Sequence, residues 1–190
     1  GEQTSVDKVL AQIPTTVAVY FTGREQTAGL LYPEYSEMYE EIGPAHIFGL
    51  NIEGEGFRAR KEISQGRINY AGYDSVFEKA KNEESAEILS EMSLLRLRYP
   101  YQLGEKAKEQ YETYVKQQSE LMITKFVKQK ETEWLEFLFG SSLFSERELG
   151  DAVLRASSEG WAEGVRILLS LKKKEPQEKR HSRFDDISWD

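Results

Sequence analysis

Up to about Tyr73 the chain alternates short β-branched or aromatic runs with glycines and prolines; beyond it, apolar residues recur every three or four positions. The first pattern fits strands and turns, the second amphipathic helices. "TTVAVYF", Thr15 to Phe21, and "AGLLY", Ala28 to Tyr32, predict two strands of a β-hairpin with the polar "TGREQT" between them. Pro33 ends the second strand, because proline cannot donate to a ladder. Tyr35, Met38 and Tyr39 stand at helical spacing, which predicts a short helix stopped by Gly43. "HIFGLNIEGEGFRARKEI" alternates apolar and polar residues around glycines and predicts a further hairpin or bulged strand.

The helical pattern predicts a run of short helices. Asp74 is the expected N-cap of one carrying Val76, Phe77 and Ala80, and Asn82 of the next, with Ile88, Leu89, Met92 and Leu95. Pro100 stops that helix and pushes Tyr99 out of helical conformation. A new helix starts near Glu105, with Tyr111, Tyr114 and Val115 on one face. Others carry Leu121 to Phe126, then Trp134 to Phe139, before the turn "GSSLFS". Ser145 and Glu148 form a capping box, in which the serine accepts from the N3 amide and the glutamate reaches back. That helix runs to Gly160, and a last one carries Trp161, Val165, Leu168 and Leu169. Short helices with short loops pack antiparallel, so Pro100 reads as a rigid corner. The expected fold is α+β and mostly helical. A small N-terminal β-hairpin element (residues 1–72) precedes a stack of antiparallel helix hairpins (residues 73–190), the two forming one continuous unit.

Within the helical half a repeat is visible. Ile123, Phe126, Leu135, Leu138 and Phe139 fall on Val153, Ala156, Val165, Leu168 and Leu169 at a constant offset of 30. Helix pairs repeating at such a period suggest a solenoid. "AVLRASSEGWAEGVRILLSL" resembles the two helices of an ankyrin repeat: Ala152 and Ala156 take the small positions, Gly160 the break, and Leu168–Leu169 the closing pair. It departs from ankyrin in having no "TPLH" at a helix start and no glycine-rich finger between units. The wider chain is similar to uncharacterised bacterial proteins with ankyrin-like helical pairs, often attached to leucine-rich-repeat regions. The segments that carry this resemblance are "LRLRYPYQLGEKAKEQYETYV", "LGDAVLRASSEGWAEGVRILLSLKKK", "GLLYPEYSEMYEEI" and "INYAGYDSVF". The resemblance implies a degenerate helical stack that binds other proteins, and it carries over no catalytic residues.

Composition narrows the chemistry. There is no cysteine, so disulfides, thiolate metal sites and cysteine nucleophiles are excluded. Two histidines, His46 and His181, cannot build a histidine-rich metal site, and no cofactor is expected. A net charge of -8 argues against a nucleic-acid surface. The absence of a long apolar run argues against a membrane span; the N-terminus shows no apolar core of a signal peptide, which leaves one removed beforehand open, and the cysteine-free composition makes the cytoplasm the expected location. In the tail, "KKKEPQEKRHSR" carries six basic and two acidic residues, and "RFDDISWD" is apolar enough to dock back as a cap.

Two features remain as candidate sites. Seven glutamates and no lysine or arginine lie between Glu25 and Phe57. Glu34 with Glu37, or Glu40 with Glu41, would be the acids of a carboxylate-based enzyme, but nothing in their spacing selects them. "EGEGF", Glu53 to Phe57, lacks the longer glycine pattern of a phosphate loop and predicts a bulge or tight hairpin. The chain also holds ten tyrosines, a residue enriched at interface hot spots. The acidic tyrosine cluster of Tyr32, Tyr35, Tyr39, Glu37 and Glu40 is the expected binding face. The expected function is a non-catalytic protein–protein interaction module with an unidentified protein partner. The alternatives are a carboxylate enzyme built on the acidic half and an acidic decoy of nucleic acid.

Overall fold

The computed structural model describes residues 6–42 and 47–172; within strands, the side chains of residues 40–42 and 47–49 are not described. The chain divides into two compact units, Gly1–Gln118 and Ser119–Asp190. The division at 118/119 falls inside the expected helical stack, so the helices over residues 70–117 share a unit with the β elements.

The first unit opens with α1 (Val6–Ala11) and the predicted hairpin, β1 (Val17–Thr22) and β2 (Thr27–Tyr32). Their antiparallel register runs from Val17 opposite Tyr32 to Thr22 opposite Thr27. A second hairpin follows, β3 (Ser36–Ile42) and β4 (Ile47–Glu53). Where a helix was expected, Ser36–Ile42 is therefore a strand. Helical spacing of Tyr35, Met38 and Tyr39 is outweighed by cross-strand pairing, which sets Tyr39 opposite Leu50 and Glu37 opposite Ile52. The bulge expected at Glu53 to Phe57 is also corrected: "EGEG" leads into α2 (Gly56–Lys61). Gly54 takes φ +97°, and a Cβ on Gly56 would collide with the carbonyl oxygen of Pro33. Then come the two-residue strands β5 (Ile63–Ser64) and β6 (Arg67–Ile68). Gln65 and Gly66, both at positive φ, turn between them.

Helices α3 (Tyr70–Ala80), α4 (Ala86–Arg98) and α5 (Glu105–Gln117) complete this unit. α3 is capped by Asn69, whose Oδ1 accepts from the Gly72 amide, and α4 by Ser85, which accepts from Ile88. Neither Asp74 nor Asn82 acts as the cap. Asp74 sits inside α3 and is buried.

Strand β2 is the centre of this core. Ala28, Leu30, Leu31 and Tyr32 are all buried. It packs on α4, and Gly29 permits the approach: a Cβ there would lie 2.8 Å from the Tyr99 ring and 3.2 Å from the Leu95 carbonyl. Two groups occupy backbone of β2. The Tyr73 hydroxyl accepts from the Leu31 amide (2.9 Å) and donates to its carbonyl (2.5 Å), as a neighbouring strand would. The turn at Pro100 forms a β-bridge with Ala28. The proline corner thus turns the chain and also docks it on the sheet.

Two buried arginines tie the unit together. Arg96, fully buried, donates to both carboxylate oxygens of Asp74 (2.8 and 3.0 Å) and to the carbonyls of Tyr99 and Tyr101. The Tyr111 hydroxyl donates to the same Asp74 (2.9 Å), so one carboxylate joins α3, α4 and α5. Arg60 donates to the backbone carbonyls of Leu10, Ile13, Thr15, Pro33 and Gly56, binding the N-terminal segment to α2. Burial lowers its pKa, and the Tyr35 and Tyr32 side chains beside it work the other way.

The second unit contains α6 (Ser119–Gln129), α7 (Thr132–Gly140), α8 (Glu146–Ser158) and α9 (Ala162–Lys172). Here the predicted elements match closely, including the Ser145–Glu148 capping box. The offset of 30 seen in the apolar positions recurs in the backbone. Lys130 and Gly160 both take positive φ, 57° and 65°. The Glu131 amide donates to Phe126 and the Trp161 amide to Ala156, both at 2.9 Å. Met122, Phe126 and Leu138 are buried, as are Ala152, Ala156 and Leu168 at the matching positions. α6 packs on α8 and α7 on α9, so equivalent helices stack. Trp161 lies against Gly164, where a Cβ would collide with the indole. The tail expected to cap this stack lies outside the described residues, as do His46 and His181.

Candidate functional site

The structure separates the five residues expected to share a binding face. Tyr32 is completely buried and stands edge-on to Tyr73 at 5.7 Å, so it is core and not surface. Its position in the inner strand of the first hairpin decides this, and an apolar run beside it ("AGLL") was the available signal. Tyr35 is half-buried: its ring covers the Arg60 guanidinium at 4.9 Å and its hydroxyl donates to the Ala11 carbonyl. Tyr39 and Glu37 are exposed on β3, and Tyr39 is 73% exposed. Glu40 belongs to β3, but its side chain lies outside the described residues.

The β3–β4 hairpin pairs with no other strand among the described residues. Met38 and Leu50 are exposed on it together with Tyr39. Glu34, nominated above as a possible acid, is exposed just before β3.

A different tyrosine cluster forms an open groove of about 820 Å³. Its walls are Tyr20 on β1, Tyr70 at the start of α3, Tyr101 just after Pro100, and the loop Gly23–Gln26. Tyr70 and Tyr101 meet at a right angle, 5.5 Å between ring centres, and Tyr20 stands edge-on to Tyr99 at 5.3 Å. Tyr20 is 51% and Tyr101 37% exposed. Arg96 anchors the arrangement from below, with its guanidinium 5.5 Å from the Tyr70 ring and one nitrogen on the Tyr101 carbonyl. Arg24 and Glu25 supply one charge of each sign at the rim. Burial raises the hydroxyl pKa of Tyr20, with Tyr99 adding to the rise, and burial likewise raises that of Tyr70, with Tyr101 adding. Both hydroxyls therefore stay neutral at physiological pH and can donate or accept a hydrogen bond.

No family model, curated protein or solved structure matches this chain. The reading of the site thus rests on its geometry.

Among the described residues, no group of acidic or histidine side chains is placed to hold a metal ion, and no helix is long and apolar enough to cross a membrane. The groove escaped sequence reasoning because its tyrosines come from three segments far apart in the chain. The abundance of tyrosine was legible, but the choice of Tyr20, Tyr70 and Tyr101 depends on the Pro100 turn docking beside β1 and β2. A smaller groove of about 410 Å³ in the second unit is lined by Glu120, Glu148, Asp151, Arg155 and the exposed Leu154. Arg155 donates to Glu120 there at 2.9 Å. At Glu148, burial opposes ionisation, but hydrogen bonds from Ser119 and Ser145 outweigh it and lower the pKa.

Proposed function

We propose that this chain is a non-catalytic protein-interaction module that holds a segment of its partner in the Tyr20–Tyr70–Tyr101 groove. The observation that carries this reading is three partly exposed tyrosine rings lining one open groove. Tyrosine offers large rigid contact area and a polar tip at low entropic cost, which is why it dominates hot spots. The groove is open, which suits an extended polypeptide better than a small enclosed ligand. Its polar groups include the tyrosine hydroxyls, Thr22, Gln26 and one rim charge of each sign, which equips it for hydrogen bonding and stacking.

The stacked helix pairs of the second unit belong to the same reading. Their 30-residue backbone repeat supports an ankyrin-like scaffold of the kind the sequence resembles in bacterial proteins, and such stacks serve as binding frames. A cytoplasmic location rests on the cysteine-free composition.

The test uses the whole chain as bait in a lysate of its source organism, beside the double variant Tyr20→Ser/Tyr101→Ser. Support is a protein retained by the parent at moderate salt and lost by the variant, with the tyrosine near-UV circular dichroism otherwise preserved. Equal retention by both proteins would remove the groove from the reading. A small molecule that raises the melting temperature of the parent and not of the variant would turn the groove into a ligand pocket.

A further inference from the structure

The β3–β4 hairpin poses a problem of its own. A two-stranded hairpin is marginal in water, and its outer edges are templates for further pairing. β3 has β4 on one side and, among the described residues, no strand on the other. Partners opposite one another share a face. Glu37 and Tyr39 therefore lie on one face with Ile52 and Leu50, while Ser36 and Met38 lie on the other with Glu53 and Asn51. All of these are exposed except Ile52, which is half-buried. Apolar side chains thus stand open on both faces, beside glutamates.

Charge selects the occupant. β3 has the sequence "SEMYEEI", and no lysine or arginine occurs between Glu25 and Phe57. Pairing of two copies along β3 would set glutamates against glutamates, and like charges across a ladder are destabilising. Natural edges are often guarded by charge, and here all the guarding charge has one sign.

We propose that β3 is a docking edge for an extended segment of a partner protein in which lysine or arginine alternates with apolar residues. The segment adds as a third strand. Main-chain hydrogen bonds supply affinity, and alternate side chains set the register, with cations on the face of Glu37 and Tyr39 and apolar groups on the face of Met38. This surface is separate from the tyrosine groove, so either reading can fail alone.

The probe is a fluorescent peptide of four Lys-Val repeats, titrated onto the full chain and followed by anisotropy. A peptide of four Lys-Pro repeats keeps the charge but cannot form a ladder, and four Glu-Val repeats keep the strand propensity but reverse the charge. Expected are saturable binding of the Lys-Val peptide, at least about tenfold weaker binding of both controls, and a loss of about tenfold on Glu37→Lys. Carbonyl labelling of the bound peptide should move its amide band to the β-sheet position. Tyr20→Ser/Tyr101→Ser should leave this binding unchanged. Equal binding of the Lys-Pro peptide would reduce the effect to charge alone and overturn strand addition. Indifference to Glu37→Lys, in a variant with unchanged tyrosine circular dichroism, would overturn the site.

Discussion

Replacing Asp74 by asparagine tests the buried network that holds α3, α4 and α5. Asp74 is 5% exposed and Arg96 0%, so neither charge has water to fall back on. In the native structure both carboxylate oxygens accept from Arg96, and one also accepts from Tyr111. An asparagine keeps the shape, but its amide nitrogen must face a donor: Arg96, or Tyr111 as well if the amide turns. The guanidinium then stays charged and buried without its counter-ion. Breaking a buried pair in this way costs about 3–5 kcal/mol. Tyr111→Phe removes a single hydrogen bond to the same carboxylate and should cost about 1.5–3 kcal/mol. The aromatic residues supply the assay. All ten tyrosines lie in residues 1–118 and all three tryptophans in 119–190. Urea unfolding followed by tyrosine near-UV circular dichroism therefore reports the first unit, and tryptophan fluorescence the second. With a slope of about 2 kcal/mol/M, Asp74→Asn should lower the tyrosine midpoint by about 2 M, and Tyr111→Phe by about 1 M. A loss under about 1 kcal/mol for Asp74→Asn, or one no larger than that of Tyr111→Phe, would refute the role given to the pair.

Two glycines should respond in opposite directions: Gly56→Ala forces a methyl group into the Pro33 carbonyl and should cost about 3 kcal/mol in the tyrosine transition, whereas Gly150→Ala, on α8 with open space around it, should gain about 0.5–1 kcal/mol in the tryptophan transition. Ser145→Ala removes the capping box of α8 and should lower the tryptophan midpoint by an equivalent of about 0.5–2 kcal/mol. Glu55 is buried; burial raises its carboxyl pKa, against the lowering pull of Arg58 and with Glu83 adding to the rise. A raised folded pKa gives stability that is fully present below the ordinary glutamate range and lost as pH rises through the raised value. Glu55→Gln should therefore reduce the fall in stability of the first unit between acid and neutral pH. An unchanged pH profile would show that Glu55 titrates as an ordinary surface acid.

Local signals in this chain determined the helices described in the second unit, from Ser119 to Lys172. Ser145 and Glu148 specify a helix start by their own hydrogen bonds, and Gly160 specifies a stop by its positive φ. The offset of 30 was legible in the apolar positions, because a stack of like helices needs apolar groups at like places. The first hairpin and the exit of Tyr99 from its helix were equally local matters. Three things were decided only in three dimensions. The segment from Ser36 to Ile42 has the spacing of a helix, yet it becomes a strand because β4 offers it a ladder. Asp74 looks like a cap, yet it is an internal ion-pair partner because Arg96 and Tyr111 converge on it from two other helices. Tyr32 and Tyr20 are similar tyrosines on neighbouring strands, yet one is core and the other lines a groove. Which side of β2 faces α4 is settled by packing around Gly29 and the Pro100 turn, and no stretch of sequence contains both.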